Sequence, residues 1–556
     1  MGEGSNSGDS PGELKRPFGR DIADFHVPNS PHPHHLRPAE AVLLTHCREG
    51  KLCRFGERRP ESPADDNSVR ADFLRFLALG GDARHPVHER GVRLQGAYID
   101  GDINLDYAKG VLPISLTLCE VDGRFSAFNA GLAELVLNGS RLSGVILEDA
   151  EIDGSVLLRD RCHVEGETRL TGARIKGDLD CTAAQLSNPA GDALAARRVD
   201  VLRGVFLCDG FVANGRVRFS GANVGGDFAC HGGKFVQQRT VSDPDTAPPR
   251  AGDALTLVNA RIAGVLWLGP WATHAKGQVE LAGSLNLQGA HVATFVDHEL
   301  SWPPRYIEVD KKRLPCVIQL NGFVYERLGT GAPTDAGARE TWLLREVASR
   351  HSADFHPQPF EQLMRVLREM GYEQDGRRIG LLKESLMQAT RVSRASALSR
   401  PVVLLTGYVW GTLAGYGYRS HRLFVFLLLL WLSCTAFFQL AETQGLFAPA
   451  DAQVWTNQDI VRECERTRWT ICDRVSHFIT FNAAMYAADV IFPFIDLQQQ
   501  THWMPLLKPL AVVLPGVGHV ILPPGTVHLV AWLATIVGAA CVILLGAILT
   551  GLLHRE

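Results

Sequence analysis

The chain has 556 residues, with 60 acidic and 56 basic side chains, a formal net charge of −4 at pH 7 and 12 cysteines. A nearly balanced charge, without clustered Lys or Arg beside stacking aromatic residues, argues against a nucleic-acid-binding protein. The cysteines are not paired at ligand spacings, and no phosphate-binding glycine loop opens a helix, so we predict no metal site and no cofactor.

The N-terminal part of the chain has two segments of different character. Residues 1–60 are rich in Gly, Ser, Pro and His, have no hydrophobic period and are predicted to be a disordered tail without a signal peptide. Residues 61–92 contain Phe73, Phe76 and Leu77 at helical spacing. We predict that this amphipathic helix caps the first coil of the repeat that follows, because an uncovered strand edge would pair with another chain.

A short repeated motif dominates residues 93–297. Apolar residues alternate with polar ones around units of the form Ala-x-Ile-x-Gly, which pair into a period of about 22 residues. A repeat of this length must stack on its neighbours to bury its apolar face. The pattern predicts a mainly β fold, a right-handed parallel β-solenoid of about eight coils. The predicted inward-facing core positions are Ile99, Ile152, Ile175, Val224 and Ile262.

Two insertions interrupt the repeat without shifting its register. The smaller one lies near Pro189, and the larger one spans residues 231–250 and is rich in proline. Insertions of this kind belong on loops outside the stack, where repeat proteins often bind partners. We therefore expect a protein partner on the larger insertion.

A helical module follows the repeat. Residues 298–337 are predicted to be an irregular connector and residues 338–400 a small α-helical module. In the module a helical stripe ends at Gly371, a residue suited to terminate a helix, and a second helix follows from about Asp375. This module is the second candidate site for the protein partner.

Two uncharged segments predict a C-terminal membrane domain over residues 401–556. Residues 423–441 and 529–553 are long and apolar enough to cross a bilayer, and basic residues flank their outer ends. We predict two spanning helices with both flanks in the cytoplasm. The protein would then be a multi-pass protein of the inner (cytoplasmic) membrane, in contact with membrane lipid, with its solenoid in the cytoplasm.

The segment between the two spans carries the candidate functional residues of this domain. Residues 478–494 are apolar but contain polar positions, which favours a re-entrant segment over a third span. Asp489 is the membrane functional candidate, because an acidic group at membrane depth is energetically unfavourable and commonly functional. Cys464 and Cys472 are a candidate structural disulfide if their loop lies on the oxidising side of the membrane.

The chain resembles a group of bacterial membrane-anchored pentapeptide-like β-solenoid proteins. The carrying segments are His88-Glu-Arg-Gly91-Val, the repeats, Pro357-Gln-Pro-Phe360-Glu-Gln-Leu363, Gly415-Tyr-Gly417-Tyr-Arg419 and residues 481–496. Such proteins are often labelled membrane-associated oxidoreductases. The resemblance supplies no catalytic residue to carry over, and no redox-cofactor motif in this sequence supports that label.

Three functional hypotheses follow from these patterns. The first is a membrane-anchored cytoplasmic β-solenoid that acts as a binding or scaffolding protein, with no nucleic-acid partner. The second is a membrane effector or channel in which the solenoid is a sensor. The third is an enzyme, a hydrolase, lyase or oxidoreductase, with carboxylates such as Asp100 and Asp178 on a solenoid face. Outward carboxylates usually form a solvated face, so we favour a non-enzymatic protein and predict no catalytic residue.

Overall fold

The computed structural model divides the chain into two compact units, Met1–Ser393 and Arg394–Glu556. It describes residues 21–28, 35–237, 239–243, 247–270, 277–309, 311–347, 355–396, 398–404, 407, 420–475, 480–492, 494–514 and 518–549. In these ranges the first unit is mostly β-strand and the second is mostly α-helix.

The strands of the first unit form four rows, and within a row each strand lies parallel to its neighbours. Row 1 contains Cys53–Arg54, Val92–Gln95, Ile114–Thr117, Leu135–Val136, Val156–Leu157, Leu179–Asp180, Val205–Phe206 and Phe228–Ala229. Row 2 contains Gly131–Leu132, Glu151–Ile152, Arg174–Ile175, Asp200–Val201 and Asn223–Val224. Row 3 contains Ser68–Arg70, Tyr98–Asp100, Glu120–Asp122, Arg141–Leu142, His163–Glu165, Lys234–Val236 and Glu280–Ala282. Row 4 contains Ile103–Asn104, Arg124–Ser126, Gly144–Ile146, Thr168–Arg169, Asp253–Thr256, Ser284–Asn286 and Ile318–Gln319.

Longer strands take part in two rows at once. Arg261–Trp267, His291–Val296 and Val324–Leu328 extend rows 1 and 2, and Gln185–Ala195 and Val212–Arg218 extend rows 3 and 4. The four rows are thereby joined into two parallel sheets of 16 strands each.

The predicted core positions are buried in these sheets. In row 2, the successive partners are Ile152, Ile175, Val201, Val224 and Ile262, each in register with the next. Successive side chains of a strand point to opposite faces, so one register keeps all of these residues on the buried face. Ile99 is also buried, but it lies in row 3 between Val69 and Val121. The repeated motif therefore occupies two different rows.

The N-terminal end differs from the expected disordered tail. Helix α1 (Pro38–Glu49) lies inside that segment, and it buries Leu43, Leu44 and Cys47. The buried carboxylate of Glu40 accepts hydrogen bonds from Arg70 Nε at 2.7 Å and Nη2 at 2.6 Å, which ties α1 to row 3. The sequence prediction missed this helix because the segment is rich in polar residues and the apolar residues of the helix occupy only one face.

The expected cap helix lies next along the chain. Helix α2 (Ala71–Ala78) buries Phe73, Phe76 and Leu77, and Arg75 Nε donates to Asn104 O at 2.8 Å. The sheets nevertheless begin before it, because strands Cys53–Arg54 and Ser68–Arg70 already pair with their rows.

The connector expected at residues 298–337 is largely ordered β structure. Strands Ile318–Gln319 and Val324–Leu328 continue the parallel sheets, after a hairpin of Tyr306–Val309 and Lys312–Pro315. Leu285 and Ile318 are paired in parallel although they are 33 residues apart in sequence. The repeat of about 22 residues is therefore no longer visible in the sequence here, while the parallel strand pairing continues.

Helices α3 (Ala336–Val347), α4 (Gln358–Glu369) and α5 (Glu373–Arg394) form the expected helical module. Helix α4 covers the last strand: Gln358 Nε2 donates to Phe323 O at 3.2 Å and Gln362 Nε2 donates to Tyr325 O at 2.6 Å. The module therefore closes the C-terminal end of the sheets.

The second unit contains the two apolar segments. Its helices are α6 (Ser420–Thr443), α7 (Ala452–Thr456), α8 (Gln458–Thr467), α9 (Ala483–Ile491), α10 (Gln499–His502) and α11 (Thr526–Leu549). It also contains an antiparallel pair of strands that are distant in sequence, Phe447–Pro449 with Trp503–Pro505, and a hairpin of Leu510–Leu514 with Gly518–Leu522. Within the described ranges, His421–Thr443 and Thr526–Ala547 are long and apolar enough to cross a membrane. Only 22% and 17% of these windows are buried, so both helices expose apolar side chains.

The segment expected to be re-entrant contains a short helix. Helix α9 has nine residues, a length of about 14 Å, which is too short to cross a hydrocarbon core of about 30 Å. It packs closely on α11: a Cβ atom at Gly538 would lie 2.2 Å from the carbonyl oxygen of Ile491. Residues 476–479 and 493 lie outside the described residues.

Candidate ligand-binding groove

A long loop near the N-terminal end of the sheets forms one wall of a groove. The chain passes from row 1 to row 3 through residues 55–67, a loop of 13 residues. The seven connections that follow between the same two rows have only two to five residues each. The surplus length allows residues 57–61 to extend along the edge that the next connections form.

The loop is held by close backbone contacts at its start. Phe55 N donates to Gln95 O at 2.9 Å, and Gln95 Nε2 donates to Gly56 O at 3.1 Å. Gly96 has a φ of +71°, and a Cβ atom there would lie 2.6 Å from the backbone of Gly56. Only glycine fits this approach at position 96, so the wall of the groove is fixed by backbone geometry.

The groove encloses about 760 Å³ and has a polar lining. Its floor includes Gly139, where a Cβ atom would lie 2.7 Å from Leu118 Cδ2. Its other lining residues are Glu57, Arg58, Arg59, Pro60, Glu61, Glu120, Arg141, Asp160, Arg161, His163, Glu165 and Gln185.

An ion-pair network crosses the groove. Glu120, Arg141, His163 and Gln185 are in-register partners on successive strands of row 3. Arg141 Nη2 lies 2.7 Å from Glu165 Oε1 and Nη1 lies 4.0 Å from Glu120 Oε1. His163 Nε2 lies 3.1 Å from the same Glu165 oxygen. The network places Arg141 between the carboxylates of Glu120 and Glu165.

The network also reaches the loop. Arg59 Nε lies 3.2 Å from Glu120 Oε2, which joins the loop wall to the sheet wall. Burial raises the pKa of Glu120, and the nearby Arg141 and Arg59 only partly oppose this effect. The pKa of Glu165 is lowered, first by its hydrogen bond from Arg141 and then by that from His163. Two carboxyl groups of one groove thus shift in opposite directions.

Four charged groups of the groove remain available to a ligand. In the part of the chain that the structure describes, no ion pair within 4.0 Å engages Arg58, Arg161, Glu61 or Asp160, and all four are exposed. A groove with free groups of both signs suits a ligand that itself carries both signs.

The other expected partner site is not a free loop. The insertion at residues 231–250 contains a hairpin of Thr240–Asp243 and Ala247–Ala251. The last residue of this hairpin, Ala251, shares a small buried cluster with Val309 and Leu314 of the hairpin Tyr306–Val309 and Lys312–Pro315, and with Cys316, which follows it. The two hairpins therefore pack against each other beside the sheets.

The carboxylate of Asp489 is held by hydrogen bonds from backbone N–H groups. Its carboxylate accepts hydrogen bonds from the backbone N–H groups of Leu497 at 2.5 Å, Gln499 at 2.8 Å and Gln500 at 3.2 Å. These three donors, from the start of helix α10 and the loop before it, account for the burial of this carboxylate without a permeating ion.

Cys464 and Cys472 are joined by a disulfide, with Cα atoms 5.4 Å apart. The other ten cysteines are free and buried. Burial raises the pKa of the Cys119 and Cys162 thiols to about 12, so these thiols are protonated and unreactive at neutral pH.

One metal-binding arrangement escaped the sequence analysis. Cys208, Asp209 and His231 bring their ligand atoms within 4.8 Å of one another. The proximity of Asp209 and His231 could have been predicted from the sequence. The two residues are one repeat apart, and residues one repeat apart become neighbours in a parallel row.

No protein-family model matches this chain, and neither a curated protein nor a solved structure does. The class of protein is therefore defined by its own features: two large parallel β-sheets, followed by two helices that are apolar enough to cross a membrane.

Proposed function

We propose that this chain is a membrane-anchored binding protein that holds a partner protein in the groove beside residues 57–61. The supporting observation is the groove itself, which has one backbone-fixed wall, a volume of about 760 Å³ and unpaired groups of both charges. We propose an extended polar segment with acidic and basic side chains as its ligand. Direct pairing of its acidic side chains with Arg58 and Arg161, and of its basic side chains with Glu61 and Asp160, would set its register.

The scaffold in this proposal is a right-handed parallel β-solenoid of the pentapeptide-like type. The four in-register rows and the recurring motif support it. A rod of this kind presents side chains at fixed spacing, about 4.8 Å from one strand to the next.

Membrane anchoring is the second part of the proposal. Helices α6 and α11 would cross the inner membrane, with the β unit in the cytoplasm and the Cys464–Cys472 loop on the oxidising side. Their exposed side chains support this arrangement, since Leu428, Leu432, Trp532 and Ile536 are each about half exposed or more. Large apolar side chains on one helix surface are stable against lipid and unfavourable against water.

A hydrolase is the second candidate function, and a specific observation favours it over the channel hypothesis. Glu120 and Glu165 have pKa shifts of opposite sign in one groove. Pairs of carboxyl groups with diverging pKa values occur in active sites in which one group donates a proton and the other stays ionised. In this hypothesis Glu120 would donate the proton.

Site-specific photo-crosslinking in the host cell tests the binding proposal. A photoreactive residue replaces Arg161, which lines the groove, or Arg174, an exposed residue of row 2 that serves as the matched control. We expect a discrete protein adduct from position 161 and none from position 174. Replacing residues 57–66 with a Gly-Ser segment of equal length should abolish the adduct, and replacing residues 240–250 should leave it.

Three outcomes would contradict the proposal or redirect it. Equal adducts at both positions would remove the groove as the binding site. An adduct lost only with residues 240–250 would move the partner to the hairpin. Turnover of a glycan or peptide library that Glu120→Gln alone abolishes would favour the hydrolase.

A further inference from the structure

Three side chains of types that bind transition metals meet where two successive connections between row 1 and row 3 lie side by side. They are Cys208, Asp209 and His231, and His231 Nε2 lies 3.6 Å from Asp209 Oδ2. Asp209 and His231 are equivalent residues of successive connections, since Asp209 N donates to His231 O at 2.9 Å. The parallel register therefore brings together two ligands that are distant in sequence.

The spacing of these atoms is close to that of a tetrahedral zinc site. Zinc binds nitrogen and oxygen at about 2.0–2.2 Å and thiolate sulfur at about 2.3 Å, so its ligand atoms lie about 3.4–3.7 Å apart. The His231–Asp209 separation of 3.6 Å falls in that range. The remaining separations are at most 4.8 Å. The one between Cys208 and Asp209 closes through rotation of Asp209, whose side chain is 65% exposed, and the one between Cys208 and His231 needs a small rotation of those two side chains.

The backbone around the cluster is well held. Gly210 N donates to Gly232 O at 3.0 Å, and Gly232 N donates to Gly277 O at 2.9 Å. The hydroxyl of Thr182, from the preceding connection, lies 3.4 Å from Cys208 Sγ. A site built on such a frame needs little ordering when a metal binds.

Burial changes across the cluster from one side to the other. Cys208 is 4% exposed, the His231 side chain is 13% exposed and the Asp209 side chain is 65% exposed. The sulfur side is therefore closed and the carboxylate side is open to solvent.

We propose that Cys208, Asp209 and His231 bind one zinc ion, and that its fourth coordination position is open on the Asp209 side. A sulfur, nitrogen and oxygen donor set suits zinc, whereas Mg²⁺ and Ca²⁺ take oxygen ligands. Three protein ligands with one open position are the arrangement of sites that take water or an external ligand. The proposal does not depend on the partner in the groove.

Metal titration of the full-length chain in detergent tests this site. The protein, carrying a tag without histidine, is stripped with a chelator and titrated with Zn²⁺ against a chromophoric competitor, and with Co²⁺ as a spectroscopic probe. We expect one zinc per chain and, with cobalt, the visible bands of tetrahedral Co²⁺ together with a thiolate-to-cobalt charge-transfer band. That band distinguishes this site from any histidine cluster elsewhere in the chain, because it requires cysteine.

Variants separate the site from adventitious binding. Cys208→Ala and His231→Ala should each lose the charge-transfer band, and Cys181→Ala, which removes a buried thiol of the preceding connection, should keep it. Asp209→Ala changes an exposed side chain, so the fold should survive, and zinc affinity should fall by more than about tenfold, since even an outer-shell loss costs that much. Absence of stoichiometric zinc in the wild type, or unchanged affinity in Asp209→Ala, would overturn the proposal.

Discussion

Asp297 and Arg339 form a fully buried, two-pronged ion pair, with Nη1 and Nη2 of the arginine each 2.8 Å from one carboxylate oxygen. Trp302 Nε1 donates to the same carboxylate at 2.8 Å, and Arg339 Nε donates to Pro333 O at 2.8 Å. The side chain of Arg339 is 0% exposed and that of Asp297 is 1% exposed. The pair fixes helix α3 against the residue that follows strand His291–Val296.

Removing one partner of this pair should be strongly destabilising. Arg339→Met leaves the carboxylate of Asp297 buried without its cation, at an expected loss of about 3–5 kcal/mol in the free energy of unfolding. The measurement is chemical denaturation of the solubilised chain. The matched control is Arg378→Met, whose pair with Glu340 at 2.8 Å is exposed, and it should lose less than about 1 kcal/mol.

The double variant Asp297→Asn, Arg339→Met should recover part of the loss, because no unpaired charge then remains buried. Equal losses in Arg339→Met and Arg378→Met would show that the buried pair has no special role at the end of the sheets.

Inward and outward neighbours of one strand should respond oppositely to substitution. Ile175 is 1% exposed between Ile152 and Val201, so Ile175→Asp buries an unpaired charge and should cost about 4 kcal/mol or prevent folding. Lys176 is exposed and pairs with Asp153 at 2.6 Å, so Lys176→Gln should cost less than about 1 kcal/mol. Thermal unfolding followed by far-ultraviolet circular dichroism measures both. Similar losses would contradict the register of row 2.

The two groove carboxylates should make opposite contributions to pH-dependent stability. The pKa of Glu165 is lowered from its ordinary 4.5, so its contribution is present above pH 4.5 and is lost as the pH falls through the lowered value. Glu165→Gln should lower the unfolding temperature at pH 7 and match the wild type at low pH. Its side chain is half exposed, so the effect at pH 7 should be under about 1 kcal/mol.

Glu120 provides the comparison of opposite sign. Its raised pKa means that ionisation is less favourable in the folded state, so Glu120→Gln should be at least as stable as the wild type at pH 7. Unfolding temperatures measured from pH 3 to pH 8 check both variants. A loss of stability in Glu120→Gln larger than that in Glu165→Gln would contradict this description of the groove.

Asp489 should prove structural. Asp489→Asn replaces one acceptor oxygen by an amide that cannot accept from the N–H groups of Leu497 or Gln499, and the expected loss is about 1–3 kcal/mol. Asp496→Asn is the control, since Asp496 is exposed and accepts a bond from Gln498 N at 2.9 Å. Thermal unfolding in detergent and ion flux in liposomes are measured together. A change in flux without a change in stability would favour the channel hypothesis.

The disulfide reports the topology of the second unit. On intact cells, a membrane-impermeant thiol reagent should label Cys464 and Cys472 only after reduction, because the disulfide blocks both thiols until then. A cysteine at position 107, where Tyr107 is 65% exposed, should stay unlabelled until the cells are permeabilised. Labelling at position 107 in intact cells would place the β unit outside the cytoplasm.

The sequence by itself determined the features that depend on local geometry. Alternation of apolar residues identified Ile175 as buried, because successive side chains of a strand face opposite sides whatever the strand pairs with. The uncharged stretches that became α6 and α11 were visible for a similar reason, since their composition alone makes exposure to water unfavourable.

Only the tertiary structure decided which distant residues meet. Ile99 and Ile152 share one motif but lie in different rows, because the motif describes a strand and not its partner. The contact of Arg59 with Glu120 arises in a loop without a hydrophobic period, and that of Asp297 with Arg339 joins a strand end to a helix. These two ion pairs leave no periodic trace in the sequence, because they depend on where two backbone segments come together and not on the local pattern of either one.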